Sequence, residues 1–225
     1  MTAVLDRLAR KLIVSSQAMD KRSPLRTPEI LALMAQAAEL GGAGGFRVNG
    51  ADVVRALRPN TILPIIGIIK DWREGFDNYI TTSLDDVEAL CASGADMIAI
   101  QATEGSRPGP DFATLAAAAH ARGVAVMADI ATLDEAIAAQ AGGADVVATT
   151  MVGYTPSTTG ASRPPFDLVR TLCAALACPV IVEGGVWTPE HVAESFAAGA
   201  FAVVSGSAVT APDLITQRLV AAITA

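Results

Sequence analysis

The chain has few aromatic residues, few cysteines and no long run of basic residues, and each scarcity narrows the class of protein. Its 225 residues are 52% hydrophobic but only 4% aromatic, so Ala, Val, Ile and Leu supply most apolar side chains, as in buried parallel strands. The formal net charge is -7, which argues against a nucleic-acid partner. Cys91, Cys173 and Cys178 show no metal-ligand spacing with histidine, so we expect reduced cytoplasmic thiols and neither metal nor cofactor.

Long apolar segments are also absent. The strongly apolar runs have the length of a strand, well short of the roughly 20 residues that span a bilayer. The first residues, MTAVLDRLARKL, include Asp6, Arg7, Arg10 and Lys11. They predict a short amphipathic helix rather than a signal peptide or membrane anchor, so we expect a cytoplasmic protein with no membrane partner.

Strand-length apolar runs alternate with segments of helical spacing through the chain. The runs are KLIVSS, AGGFRV, LPIIGII, DMIAIQ, VAVMADI, DVVATT, PVIVEG and FAVVSG. This alternation predicts βα units and a parallel sheet. Because no G-x-G-x-x-G follows the first run, an open dinucleotide-binding sheet is disfavoured. The sequence therefore predicts one α/β domain over residues 1–225, a (β/α)8 TIM barrel with a short N-terminal helix.

Helix boundaries carry local signals. Thr27, Thr188 and Ala211 each precede a proline at a first helical position, and Thr132 precedes the acidic turn Leu-Asp-Glu. These are starting signals for helices. The repeated ASGAD, AGGAD and AAGAF segments supply a glycine that can take positive φ where a helix ends.

Polar residues that follow the predicted strands form the candidate active site, because barrel enzymes place it at the carboxyl ends of the strands. We expect these residues to converge: Ser16, Gln17, Arg47, Asn49, Lys70, Gln101, Thr103, Asp129, Thr149, Thr150, Glu183, Ser205 and Ser207. Desolvation lowers the pKa of an amine such as Lys70 and raises the pKa of a carboxyl group such as Glu183. The pair predicts acid–base catalysis, although a rim lysine packed on Trp72 and a helix-capping Asp129 remain alternatives.

The loops after the last two strands are rich in small residues. The segments VEGGV and VVSGSAVTAPDL let backbone amides approach an anion, so they predict phosphate binding by Gly184, Gly185, Gly206 and Ser207. Two ordinary tight turns are the alternative. The long segment MVGYTPSTTGASRPP, residues 151–165, is interpreted either as a lid or as a mobile surface loop.

Several ordered motifs resemble a known family, the N-acetylmannosamine-6-phosphate 2-epimerases of bacterial sialic-acid catabolism, also called N-acylglucosamine-6-phosphate 2-epimerases. The motifs are LIVSSQA, FRVNG, LPIIGIIK, YITTS, GADMIAIQAT, ADIAT, DVVATTMVGYT, VIVEGGVWTPE and VVSGSAVTAPDLIT. The resemblance implies a (β/α)8 barrel that interconverts N-acetylmannosamine 6-phosphate and N-acetylglucosamine 6-phosphate by moving the proton at C2. It implies catalytic roles for Lys70 and Glu183, and substrate contacts for Gln17, Arg47 and Asp129. We add Thr150, at the end of the sixth strand, to the substrate-binding residues.

Five positions differ from the family pattern. Ser16 replaces Cys, Gln101 replaces Asp, Asp71-Trp72 replaces Arg-Asp, and Ala211 replaces Arg. The catalytic pair is kept while the predicted recognition residues change. Two other functions stay open: a lyase or aldolase that uses Lys70 as a Schiff base, and a non-catalytic barrel that binds a sugar phosphate. The alanine-rich helices are compatible with a homodimer or with packing inside one subunit.

Overall fold

Eight parallel strands form a closed barrel in sequence order. The computed structural model describes residues 3–223, and the strands are β1 (Leu12–Ser16), β2 (Gly45–Asn49), β3 (Ile65–Ile68), β4 (Met97–Gln101), β5 (Ala125–Asp129), β6 (Val146–Ala148), β7 (Val180–Glu183) and β8 (Ala202–Ser205). Closure pairs β1 with β8 as well as with β2. The predicted (β/α)8 barrel is confirmed.

Ten helices accompany the strands within the described residues. They are α1 (Ala3–Leu8), α2 (Pro28–Leu40), α3 (Ala51–Leu57), α4 (Leu84–Ser93), α5 (Phe112–His120), α6 (Leu133–Ala141), α7 (Phe166–Ala175), α8 (Pro189–Ala197), α9 (Ser207–Thr210) and α10 (Pro212–Ala221). Short 3-10 turns lie at Arg58–Asn60, Thr149–Met151 and Pro156–Thr158. The short N-terminal helix is thus confirmed as α1, while the prediction of one domain over residues 1–225 stays a prediction.

The helix boundaries follow the local signals. Thr27 and Thr188 accept a backbone hydrogen bond in the first turn of α2 and α8, and Thr132 forms a reciprocal capping box with Glu135 at α6. Ala211 also precedes a helix, although its methyl group provides no cap. Glycines with positive φ follow the ends of α4, α6 and α8, namely Gly94, Gly143 and Gly199.

Helix α3 was not predicted from the sequence. It has only 7 residues, and it begins after Gly50, which provides no side-chain cap. Burial stabilises it instead, because Val53, Val54 and Leu57 are inaccessible or nearly so and pack with the barrel–helix core. Local signals were weak here because tertiary packing supplies most of the stability of so short a helix.

Successive side chains along each strand point alternately into the barrel and toward the surrounding helices, which gives an inner and an outer apolar layer. Side chains such as Ile13, Ile66 and Met127 fill the barrel interior, where Leu5 and Leu8 of α1 join the same cluster. Outward side chains pack against the surrounding helices in two further clusters. Because side chains alternate between faces, residues two apart on a strand share the interior. The polar residues at the carboxyl end of the interior therefore sit on a packed apolar base.

Candidate active site

A buried ion network crosses the carboxyl end of the barrel. Arg47 on β2 donates to Asp129 Oδ2 on β5 and to Glu183 Oε1 on β7, each at 2.5 Å. Arg47 is 1% exposed and Asp129 0%. A buried guanidinium needs such partners, since an unpaired buried charge is strongly destabilising. The network fixes one cation between two carboxyl groups from distant strands.

Burial shifts the pKa of both carboxyl groups upward. Desolvation raises the pKa of Glu183 to about 7, against the opposing effect of Arg47. Desolvation also raises the pKa of Asp129, although Arg47 and a 2.5 Å hydrogen bond from Thr150 Oγ1 act in the opposite direction. Glu183 is thereby brought near neutrality, where a carboxyl group can exchange protons.

Lys70 lies just after β3. Its backbone amide donates to Asn49 Oδ1 at 3.0 Å, and the residue forms an isolated antiparallel bridge with Ile80. The side chain reaches the site with its Nζ 3.5 Å from Met19 Sδ. Burial, followed by the repulsion of Arg47, lowers the pKa of Lys70 to about 8. An amine and a carboxyl group with pKa values near neutrality thus share one end of the barrel.

A cavity of about 330 Å³ opens at this end, a volume in the range of small-molecule sites. Its walls include the sequence-predicted residues Gln17, Arg47, Lys70, Thr150, Glu183, Gly184, Gly185, Gly206 and Ser207. Asp129 does not line the cavity, and its carboxylate lies buried against Arg47 and Thr150. The sequence-predicted residues are therefore brought together, with Asp129 supporting two of them.

Three atoms of the cavity-lining residues have unused hydrogen-bonding capacity. Gln17 Oε1, Arg47 Nε and Glu183 Oε2 are buried without a hydrogen-bond partner in the described part of the chain. Buried polar atoms nearly always have a partner. The three atoms therefore provide two acceptors and one donor for the polar groups of a ligand, if Glu183 is ionised.

Several polar residues of the expected converging set face elsewhere, so that expectation is wrong for them. Ser16 Oγ donates to the Leu31 carbonyl of α2 at 2.8 Å, because the neighbouring Ser15 takes the inward position. Thr149 Oγ1 donates to the Glu183 carbonyl at 2.9 Å. These hydroxyl groups satisfy backbone groups instead of facing a ligand.

Others of that set also serve the scaffold. Ser205 Oγ donates to the Val186 carbonyl at 3.0 Å, and Asn49 is occupied by the Lys70 amide. Gln101 Oε1 accepts from the Tyr79 amide at 2.9 Å while Gln101 Nε2 donates to Thr103 Oγ1 at 2.8 Å. Gln101 thus holds the segment that bridges to Lys70.

Most of the positions that differ from the family pattern lie outside the cavity wall. Ser16 and Gln101 bond to the scaffold. Asp71 pairs with the exposed Arg73 at 2.6 Å, and the Trp72 ring stacks on Tyr79, with 5.1 Å between centroids. Ala211 is the one of these positions that lines the cavity.

Other cavity-lining residues were missed in the sequence. They are Ser15, Met19, Asp20, Tyr79, Tyr154, Trp187, Asp213 and Gln217, among others. Ser15 pairs with Arg47 on the neighbouring strand, so strand alternation predicts that both side chains face the barrel interior. Leu214 and Gln217 are three residues apart, a spacing that places them on one face of α10. The loop residues carry no comparable local signal, because their positions depend on how each loop folds over the barrel.

The long loop after β6 contributes to the cavity through Met151 and Tyr154. The Arg163 guanidinium lies 4.5 Å from the centroid of the Tyr154 ring. Arg163 also packs on Gly185, where an added Cβ would lie 2.6 Å from the Arg163 carbonyl carbon. Gly185 also has φ +75°. A side chain there is therefore disfavoured both by the backbone conformation and by the close approach of Arg163. The lid interpretation of this loop stays a prediction.

Residues 3–223 contain no group of three or more His, Cys, Asp and Glu side chains placed to hold a metal ion. Within the same residues, every helix is too short or too polar to cross a membrane.

The fold and the site define a class of protein: a (β/α)8 barrel in which an amine and a carboxyl group with pKa values near neutrality line one cavity at the carboxyl end of the strands. The family model described as "Putative N-acetylmannosamine-6-phosphate epimerase" matches residues 31–225. The chain belongs to this N-acetylmannosamine-6-phosphate epimerase family.

Relatives with the corresponding 2-epimerase name match nearly the whole chain. A protein of Clostridioides difficile (strain 630) is 44% identical over 221 residues, covering 98% of this chain and 99% of the relative. A protein of Enterobacter sp. (strain 638) is 44% identical over 232 residues, covering 100% of this chain and 97% of the relative. The family resemblance stated from the motifs is confirmed.

A solved structure agrees with this assignment. The N-acetylmannosamine-6-phosphate 2-epimerase from Clostridium perfringens superposes with a TM-score of 0.93 at 39% identity, covering 97% of this chain and 96% of that chain. Thiamine phosphate pyrophosphorylase from Pyrococcus furiosus has a TM-score of 0.65 at 18% identity, covering 94% and 92%, and shows the shared fold alone. These relatives favour neither the Schiff-base lyase nor the non-catalytic barrel.

Proposed function

We propose that the chain is an isomerase that epimerises C2 of N-acetylmannosamine 6-phosphate to give N-acetylglucosamine 6-phosphate, without a cofactor. The observation that carries the proposal is the pair of Lys70 and Glu183 in one cavity, with pKa values of about 8 and about 7. Family membership supplies the substrate class. An acid and a base that both titrate near neutrality are what a reversible proton transfer requires.

The reaction breaks the C2–H bond of the opened sugar, where the C1 aldehyde makes this hydrogen acidic. The electron pair of the C–H bond forms the C1–C2 double bond of an enolate, and the proton passes to the base. Developing charge on the C1 oxygen is stabilised by a preorganised donor. Arg47 Nε is a buried donor without a partner in residues 3–223, so we assign it this role.

Epimerisation then requires a proton to return to the opposite face of C2. Between about pH 7 and about pH 8, the pair holds one proton, with Glu183 ionised and Lys70 protonated in the dominant form. The other tautomer, with neutral Lys70 and protonated Glu183, carries the same total charge. One tautomer serves each direction of the reaction, because the acid of the forward reaction is the base of the reverse.

The remaining predicted residues bind the substrate. Gln17 and Thr150 contact the sugar and its acylamino group, together with Arg47. The loops with Gly184, Gly185, Gly206 and Ser207 receive the phosphate. Asp129 acts from beneath the cavity by holding Arg47 and Thr150 in place. The cytoplasmic location and the homodimer stay predictions.

Proton NMR in deuterated water tests the proposal directly. The purified protein is incubated with N-acetylmannosamine 6-phosphate while the C2 hydrogen and the gluco epimer are followed. We expect the C2 signal to disappear as a deuterated gluco product forms. No exchange and no product would refute the function, whereas borohydride trapping of a substrate adduct on Lys70 would indicate a Schiff-base enzyme instead.

A further inference from the structure

The end of the cavity next to β7 and β8 is lined by a negatively charged residue, Asp213, which would repel a phosphate group. Its polar lining includes Ser207, Thr210 and Gln217, which are neutral, and the carboxylate of Asp213. Among the described residues, no Lys or Arg side chain lines this end. A phosphate monoester carries about 1.5 to 2 negative charges at neutral pH. Backbone amides of the loops can bind its oxygens, and a nearby cation would offset the repulsion of Asp213.

Arg218 is placed to supply that cation. It follows Gln217 and lies four residues after Leu214, both of which line the cavity, so Arg218 borders the same face of α10. Its guanidinium carbon lies 4.9 Å from the centroid of the Trp187 ring, and Trp187 itself lines the cavity. Stacking positions a guanidinium while leaving the N–H groups in its plane free to donate.

Arg218 is also available to pair with an anionic ligand. No acidic side chain in residues 3–223 forms an ion pair with it. Arg47, by contrast, is committed to two carboxyl groups. Arg163 stacks on Tyr154 and packs against Gly153 and Gly185, between the loops that follow β6 and β7. Arg218 is thus the stacked arginine on the helix that forms the wall next to β8.

We propose that Arg218, held against Trp187, is the residue that makes this enzyme specific for the phosphorylated sugar. The inference rests on the proposed function and deepens it. Arg218 donates charge-assisted hydrogen bonds to the phosphate at the end formed by Gly206 and Ser207, and it offsets the repulsion of Asp213. It takes no part in the proton transfer, so its effect falls on substrate binding.

The test compares phosphorylated and unphosphorylated N-acetylmannosamine as substrates of the wild type and of Arg218→Gln. We expect the variant to raise KM for the phosphorylated sugar roughly tenfold or more, the equivalent of one charge-assisted hydrogen bond, with kcat within about twofold. The kcat/KM for the unphosphorylated sugar should not change. The control is Arg170→Gln, which removes an exposed arginine of α7.

Two further variants sharpen the result. Arg163→Gln removes the arginine that stacks on Tyr154, and a loss in this variant with none in Arg218→Gln would overturn the proposal. The double variant Ala211→Arg with Arg218→Gln places a new cation on the same wall, since Ala211 lines it. Recovery of the low KM supports a role of charge, whereas an unrecovered loss assigns the effect to helix packing and counts against Arg218.

A binding measurement separates this proposal from the reaction. If the wild type exchanges no C2 hydrogen in either sugar, the proposed function fails, but inorganic phosphate still probes the site. We expect phosphate to raise the Tm of the wild type and of Arg170→Gln more than that of Arg218→Gln, because a ligand stabilises the fold in proportion to its occupancy. An equal rise in all three proteins would overturn the assignment.

Discussion

The two ends of the cavity are built in different ways. At the proposed reaction centre, Arg47, Asp129 and Glu183 lie on three strands, are almost fully buried and are joined by the two ion pairs of Arg47. At the end next to β8, exposed residues of α10 and glycine-containing loops form the wall, and the charged residue that lines it is Asp213. Rigid strands position the proposed acid–base residues, while loops and a surface helix form the proposed recognition end.

This contrast predicts that the two ends of the cavity tolerate substitutions to different degrees. A change in the buried network leaves a charge without a partner in a medium of low dielectric, which is costly. A change on α10 alters an interaction that water partly screens. We therefore expect the fold to tolerate substitutions on α10, and we expect their effect to fall on ligand binding rather than on formation of the barrel.

The largest expected effect comes from the reaction centre. Replacing Lys70 by Ala removes one member of the proton-transfer pair and should lower the rate of C2 exchange by about 10² to 10⁴. Deuterium incorporation measured by NMR checks this. The matched control is Lys11→Ala, an exposed lysine at the amino end of β1. Full exchange in Lys70→Ala would mean that another group moves the proton.

The buried network should also dominate stability. Arg47→Met leaves the carboxyl groups of Asp129 and Glu183 without their cation, and we expect the free energy of unfolding to fall by about 3 to 5 kcal/mol. Urea denaturation at constant m value measures it. Arg170→Met breaks an exposed pair with Asp167 and should cost about 1 kcal/mol or less. Equal losses of unfolding free energy in the two variants would show that the buried network stabilises the fold no more than an exposed ion pair does.

The pH dependence of kcat/KM tests the proposed acid–base pair. With pKa values of about 7 for Glu183 and about 8 for Lys70, both groups are protonated at lower pH and no base remains. Both are deprotonated at higher pH and no acid remains. We expect a bell with a maximum between these values and about a tenfold fall per pH unit on each side.

Circular dichroism over the same pH range serves as the control for unfolding. A profile that stays flat across this range, while the fold is intact, would show that the two groups are not the acid and the base.

The smallest effect is expected at the rim. Asp213→Asn removes a negative charge that lines the phosphate end, so KM for the phosphorylated sugar should fall by about two- to fivefold, the scale of an exposed charge interaction. Asp85→Asn, in the first turn of α4, is the control because it also lies at a helix start but away from the cavity. A rise in KM for Asp213→Asn would indicate that the carboxylate binds the sugar instead of repelling phosphate.

Much of the fold was readable locally. Apolar runs predicted all eight strands, and capping residues such as Thr132 and Gly94 predicted helix ends, because these signals act between neighbouring residues. The short α3 escaped notice because Gly50 gives no cap. At the site, Lys70 and Glu183 stood out as charges at the ends of apolar strands, whereas Tyr79 and Asp213 carried no comparable mark.

The sequence by itself determined the alternation of strands and helices, the family and the charged residues available at the strand ends. Tertiary structure decided which of these residues meet. Arg47 and Glu183 are separated by 136 residues, and only barrel closure brings them into contact. It also turned Ser16 toward α2 and placed Asp129 beneath the cavity. The physical reason is that local propensity acts over a few residues, while burial and ion pairing act wherever the closed sheet places the side chains.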